Sequence, residues 1–260
     1  MILSGRGLYM RYLFVTTVVL LLASGCGKKG PLIPPEAFIP APVSDLRVIQ
    51  KGENFLVSWS IPDRDEGGRE LRNLAGFRLF RREVLPPDQD CEACSDAYRV
   101  VKDIDLEYLR DARRSGDRIF TSETGVMDGT TYQYKVVSYL KDGTPSRESN
   151  RFRLTKIHPL PGPRLRALST PTSIALHWDP AALPPKFKTM GYNIYRWRAN
   201  ESPAAVPQND SPLKTTDYED LRLERGVTYL YCLRSVVDAD GISVESVCSN
   251  EASGALKEPE

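Results

Sequence analysis

Five cysteines, two histidines and a few closely spaced carboxylates are the side chains of this 260-residue sequence that could do chemistry. Cys91-Glu-Ala-Cys94 has the spacing that, in oxidoreductases, lowers a thiolate pKa. The flanking Asp-Gln-Asp and Ser-Asp segments read as loop, not as the strand-to-helix setting such a dithiol uses. Zinc would need two more ligands at suitable spacing, and haem attachment would need His where Ser95 stands. A local disulfide stapling a loop is the expected state of Cys91 and Cys94, with a redox dithiol as the alternative. Cys232 and Cys248 flank Asp240-Gly241 symmetrically. A hairpin turning there would place them across from each other, within reach of a bridge and pointing away from the core. Two reduced thiols are the alternative.

The remaining chemistry is sparse. No G-x-S-x-G, H-E-x-x-H or phosphate-cradling glycine loop is present. Asp63/Asp65 and Asp88/Asp90 sit on loops and read as solvated surface rather than a glycosidase dyad or a calcium site. His177 precedes Trp178 and reads as an outward surface histidine. We therefore expect no catalysis, no cofactor and no metal. Thirty-five basic residues against 34 acidic give a net charge of +1, which argues against a nucleic-acid partner. With 41% hydrophobic and 27% charged residues, the composition is that of a globular protein, not a polytopic membrane protein.

The fifth cysteine has a different setting. Arg6 and Arg11 precede an apolar run from Tyr12 to Leu22, then Ala23-Ser24-Gly25-Cys26. That order reads as a secretory signal, and the run is shorter than the ~20 residues of a membrane span. A cleaved soluble signal or an uncleaved N-terminal anchor are the other ways to read it. The Leu-Ala-Ser-Gly-Cys ending resembles the lipobox of bacterial lipoproteins, although Ala23 stands where the family usually has Leu. The resemblance implies removal of residues 1–25 and lipidation of Cys26, with a mature net charge of −1. Gly27, in place of Asp, implies sorting to the outer membrane.

Residues 26–43 form a proline-rich tether, polyproline-II-like in character. Its Cys26-Gly27-Lys28-Lys29-Gly30-Pro31-Leu32 head is similar to that of very small lipoproteins associated with lipopolysaccharide export. The resemblance implies a docking role for Lys28, Lys29, Gly30, Pro31 and Leu32; a basic tether beside anionic head groups is the simpler reading.

The rest of the chain repeats. Gly129-Thr-Thr-Tyr132-Gln-Tyr134-Lys-Val136-Val-Ser138 matches Gly226-Val-Thr-Tyr229-Leu-Tyr231-Cys-Leu233-Arg-Ser235. Phe55-Leu-Val-Ser-Trp59 matches Ile174-Ala-Leu-His-Trp178, and Gly76-Phe77-Arg-Leu79-Phe80-Arg81 matches Gly191-Tyr192-Asn-Ile194-Tyr195-Arg196. Each copy closes on a Gly turn and a Ser-Asn pair, Ser149-Asn150 and Ser249-Asn250. The alternation has period two, which predicts strands with Trp59, Trp178, Tyr132 and Tyr229 in the cores. These motifs resemble fibronectin type III domains, in which Tyr132 and Tyr229 would close a tyrosine corner. The expected fold is all-β: two tandem antiparallel fibronectin type III-like sandwiches, over 44–157 and 160–255. The His158-Pro-Leu-Pro-Gly-Pro163 link predicts an extended, semi-rigid pair of beads.

The first copy carries an extra 22 residues between its Trp and its Tyr, most of them between Phe80 and Tyr132. They are either a functional insertion or tolerated drift. The functional expectation is a non-catalytic lipoprotein, held in the membrane through Cys26, that binds or scaffolds an envelope protein or glycan. An accessory subunit of an outer-membrane or lipopolysaccharide-export assembly is the alternative; a carbohydrate-active or redox enzyme ranks below both.

Overall fold

The apolar alternation resolves into strands whose inward positions are fully enclosed. A computed structural model of the protein describes residues 38–94 and 96–258. Cys26 and the head residues Lys28, Lys29, Gly30, Pro31 and Leu32 lie outside the described residues. Among those described there are strands and no α-helix, so no helix is long and apolar enough to cross a membrane. The chain is all-β.

Eight strands build the first sandwich: β1 (Arg47–Lys51), β2 (Asn54–Ser60), β3 (Leu74–Glu83), β4 (Arg99–Asp105), β5 (Ala112–Ser115), β6 (Arg118–Glu123), β7 (Thr131–Leu140) and β8 (Phe152–Thr155). One layer runs β1-β2-β6-β5 and the other β4-β3-β7-β8. Seven build the second: β9 (Arg164–Ser169), β10 (Ile174–Asp179), β11 (Lys188–Arg198), β12 (Asp217–Asp220), β13 (Tyr229–Ala239), β14 (Ile242–Glu245) and β15 (Ala252–Gly254). Its layers are β12-β10-β9 and β11-β13, with β14 and β15 on successive parts of β13. Both are fibronectin type III-like sandwiches.

The repeat is physical as well as textual. Trp59 packs edge-on against Phe77 at 5.4 Å, and Trp178 packs the same way against Tyr192 at 5.4 Å. The Tyr132 hydroxyl accepts from Met127 N at 3.0 Å, and the Tyr229 hydroxyl from Glu224 N at 3.1 Å; these are the two tyrosine corners. Gly76 and Gly191 sit at bulges in β3 and β11, where a Cβ would meet the Ile104 or Leu213 carbonyl at 2.2 and 2.4 Å. The Ser-Asn pairs fasten the last strand. Ser149 Oγ accepts from Val136 N, while Asn150 exchanges two hydrogen bonds with the Leu46 backbone. Ser249 and Asn250 repeat this on Leu233 and Leu165.

Each sandwich also encloses an ion pair that bridges its layers. Arg81 on β3 donates to Glu123 on β6 at 2.8 Å, and its guanidinium lies 5.0 Å from the Tyr132 ring centre. Arg196 on β11 donates to Asp220 on β12 at 2.8 Å and lies 5.1 Å from Tyr229. Burial pushes the Glu123 carboxyl up, and Arg81 works against that shift.

The two sandwiches are not separate beads. β1 pairs in parallel with β14, Gln50 opposite Val244 and Lys51 opposite Glu245. One sheet therefore runs β11-β13-β14-β1-β2-β6-β5 through both sandwiches. The proline-rich link packs as well. Leu160 is buried with Val237 and Val244, Val247 N donates to its carbonyl, and Gly162 lies so close that a Cβ would meet the Cys248 carbonyl at 2.6 Å. The bead picture underrated the junction because an edge strand with free N–H and C=O groups pairs wherever a second edge is offered.

Candidate functional site

The extra residues of the first sandwich do two structural jobs. The loop between β2 and β3 receives the end of the tether. Ala41 N donates to Arg64 O at 3.1 Å, Glu66 N donates to Ile39 O at 3.0 Å, and the Arg69 guanidinium stacks 3.8 Å over Phe38. Asp65 anchors this loop: it is only 8% exposed and accepts from Arg69 N and Nε. Asp65 is therefore enclosed and paired, contrary to the solvated-surface reading of its sequence neighbourhood.

The insertion after β3 folds back over the outer face of β3, β7 and β8. Cys91 and Cys94 are joined, with Cα atoms 5.4 Å apart. Arg82, buried under this loop, donates to both oxygens of Asp90 and, through Nε, to Gln133 at 2.6 Å. Glu92 accepts from Gln133, Arg151 and Arg153, and those bonds hold its carboxyl below the usual range. Asp90 too is an ion-pair partner, not free surface. His177 is exposed. Among the described residues no three His, Cys, Asp or Glu side chains gather as metal ligands do.

The densest functional geometry lies at the joint. Gln50 takes an inward position at the end of β1, where the alternation would place an apolar residue. It is fully buried. Its Nε2 donates to the Gly52 and Ile157 carbonyls and its Oε1 accepts from Ile157 N, so the side chain ties β1 to the link. Next to it, Lys51 crosses to the second sandwich, donating to Ala205 O at 3.0 Å and lying 3.7 Å over the Tyr195 ring. Burial drives the Lys51 ammonium down to about 8, with Glu245 opposing and Arg234 and Arg113 adding to the shift. Glu245 accepts from the Tyr195 hydroxyl and from Asn193.

Cys232 is joined to Cys248, Cα atoms 5.8 Å apart. Cys232 faces away from the core, and a second apolar layer covers it: Tyr195, Trp197 and Cys232 are buried there with Ala204 against them. The bridge crosses an irregular stretch. The β13 ladder pairs Val236 with Glu245 but Tyr231 with Ala252, and Cys248 lies in the slip between them. Beside this layer a cleft of about 400 Å³ opens between the sandwiches, lined by Lys51, Leu56, Arg110, Arg113, Phe120 and Arg234 among others.

No protein-family profile matches the chain. Among solved structures, the FN1–FN3 domains of chicken CNTN1 are similar to it at 15% identity, covering 88% of this chain and 73% of that one, with a TM-score of 0.33. The sandwich assignment rests on this chain's own strand order and its paired tyrosine corners.

Sequence reasoning missed the joint residues Gln50, Lys51, Arg234 and Glu245. The one available signal was Gln50, a polar residue in phase with the buried Leu46 and Val48. Arg81 and Arg196 were visible as matched positions of the repeat, but their carboxylate partners lie in strands whose sequences do not match.

Proposed function

We propose that this protein is a non-catalytic envelope lipoprotein, anchored through Cys26 in the outer membrane, that works as a stiff two-sandwich scaffold for a protein or glycan partner. The observation that carries this reading is the continuous sheet through β1 and β14. A shared ladder resists bending where a bare linker would not, and a scaffold needs that stiffness to hold a binding surface at a set place. The tether supports the same reading. Its described end, at Ile39 and Ala41, is hydrogen-bonded to the β2–β3 loop of the first sandwich, and β1 leads from there to the joint.

The test is crosslinking in intact envelopes followed by capture of the full chain, for wild type and for a variant lacking residues 28–35. A scaffold of this kind crosslinks to a defined envelope partner, and Cys26→Ser releases it from the membrane fraction. Retention of a processed Cys26→Ser protein in the pellet contradicts the anchor. Loss of the partner on deleting 28–35, with anchoring intact, favours the assembly-subunit reading, in which the Gly-Lys-Lys-Gly-Pro-Leu head docks.

A further inference from the structure

The cleft at the joint collects positive charge that the protein answers only in part. The other enclosed arginines each meet a carboxylate closely: Arg81 meets Glu123 at 2.8 Å, Arg82 meets Asp90 at 2.5 Å and Arg196 meets Asp220 at 2.8 Å. Arg234 reaches Glu245 only at 3.9 Å. Its Nη1 donates to the Ser246 carbonyl, while its Nε, the atom nearest Glu245, is buried with no hydrogen-bond partner. Glu245 is already committed to Tyr195 and Asn193. Lys51, Arg110 and Arg113 line the same cleft; Lys51 feels Glu245, Arg113 donates to the Pro203 carbonyl and Arg110 lies over Tyr108. Asp111 is the one acid in the lining, and Glu251 lines the adjoining recess.

Four cations gather here against Asp111 in the lining and Glu245 behind it, and they repel one another in a partly enclosed site. That repulsion is relieved by an oxyanion, which guanidinium groups bind by charge-assisted hydrogen bonds. The cleft volume is in the range of small-ligand sites, which occur often between domains. Leu56 and Phe120, both half-buried, add an apolar wall that a bare ion would not use. We propose that the inter-sandwich cleft binds a small organic oxyanion, a sugar-sized molecule carrying a phosphate or carboxylate group, between Arg234, Lys51, Arg110 and Arg113. This inference does not depend on the anchor or on the macromolecular partner.

The test is titration calorimetry on the full-length chain in neutral detergent, with glucose 6-phosphate, glucuronate, inorganic phosphate and uncharged glucose as probes. Saturable binding of at least one organic anion and none of glucose is expected, weakening as salt is raised. Arg234→Gln lowers that affinity about tenfold or more, as does the double variant Arg110→Gln/Arg113→Gln on the exposed rim. The rim variant decides the matter if Arg234→Gln fails to fold. Equal binding of glucose, no binding of any anion at millimolar concentration, or unchanged affinity in the rim variant overturns the proposal. So does binding seen only with vesicles of anionic lipid, which would make the cleft a lipid-surface contact.

Discussion

Lys51 and Glu245 face each other across the boundary of the two sandwiches, paired through their backbones in the parallel ladder of β1 and β14. Their side chains meet the same residue. Lys51 lies over the ring of Tyr195, and Glu245 accepts from its hydroxyl. The hydrogen bonds that make one sheet of two and the charged groups that line the cleft therefore belong to the same few residues. A change in either is felt by the other.

Gln50 is the most exposed point of failure in that arrangement. Gln50→Ala leaves both the N–H and the C=O of Ile157 without their buried partner. The expected loss is ~1–3 kcal/mol in denaturant unfolding. Leakage at the joint should also appear as faster amide exchange in 48–52 and 242–247 while the β2 and β10 amides stay protected. Unchanged exchange in the joint segments would contradict the clamp.

The buried inter-layer ion pairs should show the asymmetry of charges taken out of water. Arg81→Met alone strands Glu123, whose carboxyl burial already pushes up, and should cost ~3–5 kcal/mol. Arg81→Met with Glu123→Leu should recover most of that loss. The matched pair in the second sandwich, Arg196→Met with Asp220→Leu, should recover less, because Tyr231 also donates to Asp220 at 2.9 Å. Chemical denaturation of these variants, with Arg196→Met alone as the reference for the second pair, measures this.

Much of this architecture was legible in the sequence, and the reason is periodicity. Phe55-x-Val57-x-Trp59 and Ile174-x-Leu176-x-Trp178 alternate with the pleat, so every one of those residues is buried as expected. The tyrosine corners and the Cys91–Cys94 bridge were readable because their determinants lie within a few residues of one another; the Cys232–Cys248 bridge was readable from the Asp240-Gly241 turn midway between them, although the ladder slips before it reaches Cys248. The joint was not. Parallel pairing of β1 with β14 brings together segments almost two hundred residues apart, and no local motif records a ladder of that reach. The acids Asp65 and Asp90 misled for a related reason: what encloses them is Arg69 and Arg82, whose placement depends on folded loops rather than on spacing.

Disulfide chemistry separates the two bridges. Non-reducing peptide mapping should link Cys232 to Cys248 and Cys91 to Cys94. Reduction should lower the stability of the second sandwich and the joint by ~3 kcal/mol in the chain-entropy picture, and the first sandwich very little, because the Cys91–Cys94 loop is so short. Greater loss in the first sandwich, followed by tryptophan fluorescence of a Trp59→Phe variant and of a Trp178→Phe/Trp197→Phe double variant, would contradict this ordering.

Lys51 should titrate apart from the surface lysines. Competitive acetylation should place its midpoint near 8, against about 10.4 for an exposed lysine. The sign for stability follows. With the folded value lowered, the unfolded chain binds more protons between about 8 and 10.5, so the contribution of this group to stability rises with pH through that window and is flat below it. Above about 10 the raised Tyr195 hydroxyl opposes it, since the unfolded tyrosine ionises first. Glu245→Gln should move the Lys51 midpoint lower still, and Arg113→Gln should move it higher.

The stiff, sheet-linked rod is the central claim, and a distance between the two sandwiches tests it most directly. Glu83 and Glu219 are exposed, one on each sandwich. Spin labels at Glu83→Cys and Glu219→Cys, read by double electron–electron resonance in the full chain, should give one narrow distance distribution that broadens when Gln50→Ala is added. A broad distribution in the parent, unchanged by Gln50→Ala, would show two sandwiches moving independently and would contradict the account.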